Sequence, residues 1–112
     1  MTQIGHFTRT ADGLRGHLRT LTLDCDLTLV ALDTSDAHRA PAYRVHLGDS
    51  AVGPEVGAAW RRTGEKAGAY LAVQLDDPAL ARPIRANLFP ADAEGVLFRL
   101  VWTRPNRRDT QP

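Results

Sequence analysis

Two short blocks of the sequence place a tryptophan close to arginine. Trp60 is followed directly by Arg61 and Arg62, and Trp102 is followed two residues later by Arg104. Aromatic faces stack on unpaired bases and guanidinium groups bind phosphate, so this combination is typical of proteins that bind single-stranded nucleic acid. The candidate nucleic-acid-binding residues predicted from the sequence are Trp60, Arg61, Arg62, Lys66, Tyr70, Trp102, Arg104, Arg107 and Arg108.

Several of these residues also have an alternative interpretation. The chain contains only two Trp, two Tyr and three Phe. If several of these rings lie on the surface, the core is built mainly from Leu, Val and Ala. In the alternative interpretation both tryptophans fill the core, and the arginines from Arg104 to Arg108 belong to a solvated tail. The sequence leaves both alternatives open.

The sequence offers no recognisable catalytic, metal-binding or cofactor-binding motif. The four histidines and Cys25 lack the spacing of a zinc site. The glycines at 53 and 57 lack the lysine and the following helix of a nucleotide-binding loop. Four aspartates offer oxygen ligands for a hard cation, although such residues more often cap turns; they lie at positions 24, 26, 76 and 77. We therefore predict a protein that is not an enzyme and has no metal or cofactor.

Length and composition indicate one globular domain. The 112 residues are 43% hydrophobic and 24% charged, with a net charge of +1. The single Cys25 cannot form an internal disulfide, which fits a reducing compartment. No apolar run reaches the roughly 18 residues of a membrane span, and the first residues lack a signal-peptide pattern. We expect a cytoplasmic protein with no membrane contact, in which residues 1–105 form a single β domain and residues 106–112 a flexible basic tail.

Short apolar runs separated by turn residues predict an all-β fold. No segment has the period of a long amphipathic helix. The clearest element is a hairpin over residues 56–78, in which Leu71, Val73 and Leu75 are expected to face the core and Tyr70 to face outward. We predict a single small antiparallel barrel or two-sheet sandwich of about seven or eight strands. An OB-type barrel is among the candidates, and at most one short helical turn is expected near Pro78.

Two local features near the amino terminus give more detailed expectations. In the first strand, alternation places Ile4 and His6 on one face and Phe7 on the other. The pair Asp12-Gly13 predicts a hairpin turn whose two central residues have positive φ.

Three blocks of the sequence, in the same order, resemble one known family. The first is Ile4-Gly5-x-Phe7-Thr8. The second is Gly57-Ala58-Ala59-Trp60-Arg61-x-Thr63, followed by Tyr70-Leu71-x-Val73-x-Leu75-Asp76-Asp77-Pro78. The third is Pro83-Ile84-x-Ala86-Asn87-Leu88, followed by Leu100-x-Trp102-x-Arg104-Pro105. Together they resemble the bacterial family catalogued as domain of unknown function 736 (DUF736), from Ile4 to about Arg107. The resemblance implies a DNA-handling or accessory role on plasmids or integrative conjugative elements.

Two functions therefore remain as hypotheses. The leading one is a non-enzymatic module that binds single-stranded DNA or RNA. The alternative is a protein-interaction or inhibitory accessory factor that makes no nucleic-acid contact and acts through an exposed strand edge or as a homodimer.

Overall fold

The protein is an eight-stranded antiparallel β-barrel. The structure, a computed structural model, describes residues 1–32, 40–66 and 68–104. The strands are β1 (Thr2–Arg9), β2 (Gly13–Arg19), β3 (Asp24–Ala31), β4 (Tyr43–Leu47), β5 (Glu55–Gly64), β6 (Gly68–Leu75), β7 (Ile84–Pro90) and β8 (Leu97–Trp102). Each strand pairs with the next one in the sequence, and β1 pairs with β8 to close the barrel. The prediction of a small antiparallel barrel is confirmed. Its up-and-down order differs from the five-stranded Greek-key order of an OB fold.

The barrel interior is filled by alternate residues of each strand. Leu14, Leu88 and Leu100 are among the most deeply buried side chains. Leu71, Val73 and Leu75 are buried as expected. Tyr70, which directly precedes Leu71 in β6, is half-exposed. Because side chains alternate across a strand, the residues between these buried positions form the outer surface of the barrel.

A bulge in β1 changes which residue of this strand faces the core. Gln3 pairs with Val101 and Gly5 pairs with Leu100, so Ile4 is an extra residue between two successive pairs. The bulge turns Ile4 inward, where it is 9% exposed, while His6 stays on the outer surface. The prediction that Ile4 and His6 share one face is wrong, because simple alternation takes no account of an inserted residue.

The first hairpin turns at the predicted place with a different geometry. Among the described residues, positive φ occurs only at Gly48, Gly68 and Gly95. The predicted positive φ at Asp12-Gly13 is therefore wrong. Thr10 closes the turn instead: its N–H donates to the Gly13 carbonyl at 2.8 Å, and its Oγ1 accepts from the Gly13 N–H at 3.1 Å.

Asp77 shapes the connection between β6 and β7. Its carboxylate accepts a hydrogen bond from the Ala79 N–H at 2.9 Å, and its carbonyl accepts one from the Leu80 N–H at 2.8 Å. This side-chain bond makes a tight turn near Pro78 that does not continue into a helix.

Across the described ranges, no helix has the length and apolar character required to cross a bilayer.

Candidate functional site

The outer face of β5–β8 carries a line of alternating cationic and aromatic side chains. The strand register places Arg62 opposite Tyr70 and Phe89 opposite Arg99. The Tyr70 and Phe89 rings join the two pairs, with centroids 5.2 Å apart and planes inclined by 40°. Since neighbouring strands lie about 4.8 Å apart, these four residues form a continuous line across the sheet. We call Arg62, Tyr70, Phe89 and Arg99 the cation–aromatic row.

A groove lies beside the cation–aromatic row. The register aligns Trp60, Ala72, Asn87 and Val101 across the same four strands. The small side chain of Ala72 leaves a depression between the indole and the Asn87 amide. The groove has a volume of about 340 Å³ and is lined by Trp60, Arg62, Ala72, Val73, Gln74, Arg85, Ala86, Asn87, Val101 and Thr103.

The charge on this face is positive. The sequences of β6, β7 and β8 contain no Asp or Glu. Arg62, Arg85 and Arg99 are exposed, and none of them has an ion-pair partner in the part of the chain that the structure describes. Arg62 donates instead to the backbone carbonyl of Arg61, at 2.9 Å. A polyanion lying across the face would therefore meet guanidinium groups without displacing a carboxylate.

The structure brings together part of the predicted set. Trp60, Arg62 and Tyr70 share the outer face, and Lys66 is exposed in the turn of the same hairpin. Arg61 lies apart from them, because alternation along β5 points it to the other side of the sheet. Its guanidinium carbon lies 5.7 Å from the centroid of the buried Tyr43 ring.

The second predicted block lies elsewhere on the barrel. Trp102 is paired with Ala86 and Thr2 and packs half-buried against the core, at the end of the barrel where β1 begins. The Arg104 guanidinium carbon lies 5.6 Å from the centroid of the Trp102 ring. The two tryptophans therefore belong to different surfaces. Arg107 and Arg108 lie outside the described residues.

Sequence reasoning missed three residues of this face: Arg85, Phe89 and Arg99. All three alternate with buried residues of β7 or β8, so the outward orientation of their side chains could be predicted from the sequence. Their proximity to Tyr70 and Trp60 could not, because it depends on the register between strands that are separated along the chain.

Further round the barrel, His17 of β2 contacts Asp24 and Asp26 of β3, and we call these three residues the His17 clamp. Beyond the cation–aromatic row, the strand register places His6 opposite Arg99 and His17 opposite His6. His17 Nδ1 donates to Asp26 Oδ1 at 2.8 Å, and Nε2 contacts Asp24 Oδ1. These hydrogen bonds, led by the one to Asp26, raise the pKa of His17. Because both ring nitrogens face carboxylate oxygens, the doubly protonated imidazolium satisfies both contacts.

Cys25 lies between Asp24 and Asp26, the two aspartates of this clamp. Burial raises the pKa of the Cys25 thiol, and the negative charges of Asp26 and Asp24 raise it further. The thiol is therefore less readily ionised than usual, which disfavours a nucleophilic role. The structure shows no group of three or more potential metal ligands in residues 1–32, 40–66 and 68–104.

Comparison with known families agrees with the resemblance seen in the sequence. The model of a family described as "Protein of unknown function (DUF736)" matches residues 3–105. The chain belongs to the DUF736 family. The match extends from β1 to beyond β8, so the whole barrel is the DUF736 domain. No curated protein and no solved structure matches this DUF736 chain significantly.

Proposed function

We propose that this DUF736 protein is a non-enzymatic module that binds single-stranded DNA or RNA across the outer face of β5–β8. The observation that carries the proposal is the cation–aromatic row, in which a Tyr70–Phe89 ring pair lies between Arg62 and Arg99. Base stacking on an aromatic ring contributes about 1–3 kcal/mol per base. Four-stranded sheet faces with exposed rings stack about two or three bases in other RNA-binding modules.

The composition of the chain and its family resemblance supply the biological setting of the proposal. A single half-buried cysteine, which cannot form an internal disulfide, suits the reducing cytoplasm. The resemblance is to a protein family found on plasmids and integrative conjugative elements. This suits an accessory protein that binds the single strands formed when such elements are transferred or replicated.

The first prediction concerns affinity for a labelled single strand, measured by fluorescence anisotropy. Wild-type affinity should fall steeply between about 50 and about 200 mM salt, because bound phosphates release counterions. Replacing both rings, Tyr70→Ala with Phe89→Ala, should weaken binding roughly 10- to 100-fold at fixed salt. Replacing both cations, Arg62→Gln with Arg99→Gln, should flatten the slope of log K against log salt by roughly 1.4, since each single-strand phosphate contact contributes about 0.7.

A matched charge change outside this face is the control. Arg15 on β2 and Arg44 on β4 are exposed on the outside of the barrel. Arg15→Gln with Arg44→Gln removes the same charge and should leave both affinity and salt slope close to wild type. Absence of binding by the folded wild-type protein at low salt would refute the proposal. Equal losses in the two double-arginine variants would show that the face does not bind the strand.

A protein-interaction or inhibitory accessory role is the second candidate. It is favoured by two apolar side chains at the end of the barrel where β1 begins: Met1 and Leu21 are 90% and 105% exposed. Each described strand is paired on both sides, so addition of a partner strand has no edge to use there and a homodimer is the better-supported form. Sedimentation velocity over a range of concentrations tests it: a dimer that Leu21→Ser dissociates supports this role, and a monomer throughout contradicts it.

A further inference from the structure

A second cavity opens at the end of the barrel where β1 begins, away from the cation–aromatic row. Its volume is about 540 Å³, within the roughly 300–1,000 Å³ typical of small-molecule sites. Its walls are mainly apolar and include Ile4, Leu21, Ile84 and Trp102. Ile4 is part of this wall because the β1 bulge turns it inward. We call this cavity the end pocket.

Two guanidinium groups border the end pocket. Arg19 at the end of β2 and Arg104 just after β8 both line the pocket. None of the described residues that line it is acidic. Within the described ranges neither arginine is ion-paired. Asp24 is the cross-strand neighbour of Arg19, yet its carboxylate contacts His17 instead. The rim is therefore cationic while the wall is apolar.

We propose that the end pocket binds a small amphipathic anion, an acyl chain that ends in a carboxylate. The carboxylate pairs with Arg19 and Arg104 at the rim, where a charge-assisted hydrogen bond is stronger than a neutral one. The chain packs against Ile4, Ile84 and Trp102. An apolar wall favours an aliphatic chain over a nucleobase, because the polar edge of a base buried there would lack hydrogen-bond partners.

Titration with decanoate below its micelle-forming concentration tests this assignment. In a Trp60→Phe variant, Trp102 is the only remaining tryptophan, and its emission should change saturably as decanoate binds. Decanol, which has the same chain without the charge, should bind about tenfold more weakly or worse. Arg19→Gln and Arg104→Gln should each weaken decanoate binding by about tenfold. Calorimetry on the wild-type protein gives a second readout that does not depend on fluorescence.

Arg82→Gln is the matched control, because Arg82 is exposed in the β6–β7 connection at the same barrel end and does not line the pocket. It should bind decanoate like the wild type. Equal affinity for decanol and decanoate, equal losses in the Arg82 and Arg104 variants, or no saturable binding would each overturn the assignment. Tighter binding of a nucleoside monophosphate than of decanoate would overturn it as well. Tyr70→Ala with Phe89→Ala should leave decanoate binding unchanged, so failure here and failure of the nucleic-acid proposal are separate results.

Discussion

His17 shows how one side chain ties two neighbouring strands together through its protonation state. It projects from β2, and both of its ring nitrogens contact aspartates of β3. Those contacts raise its pKa. The cluster is largely exposed, so water and salt reduce its strength.

The His17 clamp predicts a pH-dependent difference in stability. A group whose pKa is raised in the folded state stabilises the protein fully below its unfolded pKa, about 6.5 for histidine. That stabilisation is lost as the pH rises through the raised folded value. The melting temperature of the wild type should therefore exceed that of His17→Gln below about pH 6.5, and the difference should disappear in alkaline buffer.

Thermal melts over this pH range check the prediction, with His6→Gln as the control. His6 lies in the same line of residues, and the structure shows it contacting no carboxylate of the described chain. A difference for His17→Gln that stays constant from acidic to alkaline pH would contradict a role for the imidazolium. The two histidines look alike in the sequence. Only the register that sets His17 opposite Asp26 distinguishes them.

At the scale of the strands, β1 and β2 approach closely because a glycine faces an aromatic ring. Gly16 pairs with Phe7. A Cβ added at Gly16 would lie 2.5 Å from Phe7 Cγ and 2.1 Å from the His6 carbonyl oxygen. The glycine therefore makes room for the Phe7 ring in the barrel interior.

Gly16→Ala should destabilise the barrel by about 1–3 kcal/mol, the usual cost of overpacking a well-filled site. Urea denaturation measures the free energy of unfolding. Arg15→Ala, at the exposed neighbouring position of the same strand, should change it by no more than about 0.5 kcal/mol. If the two variants were equally stable, the close approach at Gly16 would have no energetic importance.

Alternation along single strands could be predicted from the sequence, and contacts between strands could not. The burial of Leu71, Val73 and Leu75 and the outward direction of Tyr70 follow from a period of two in a strand without an insertion. The same rule fails at Ile4, where the bulge adds a residue. The partnership of Tyr70 with Phe89 depends on how β6 and β7 align, and a connection of variable length leaves that alignment open.

At the scale of the whole molecule, closure of the barrel joins the first strand to the last. β8 pairs with β1 on one side and with β7 on the other. Loss of β8 would therefore leave two unpaired strand edges, which promote association with other chains.

A truncation series tests this closure. A chain that ends at Pro90 lacks β8 and should lose cooperative thermal unfolding, while a chain that ends at Arg104 retains all eight strands and should melt like the 112-residue chain. A lower melting temperature in the longer truncation would show that residues after Arg104, among them the predicted tail 106–112, contribute to the stability of the folded domain. The same variant lacks Arg107 and Arg108, so a flatter salt slope in single-strand binding would show their contribution.

The pairing of β1 with β8 also sets the order of events during biosynthesis. During synthesis β1 is made before the other strands of the barrel, and its second neighbour, β8, is made after them. Until then the outer edges of the nascent sheet carry amide and carbonyl groups that have no partner strand. Final assembly therefore waits for the end of translation of the barrel, and crowded polysomes make chaperone capture of the growing chain advantageous.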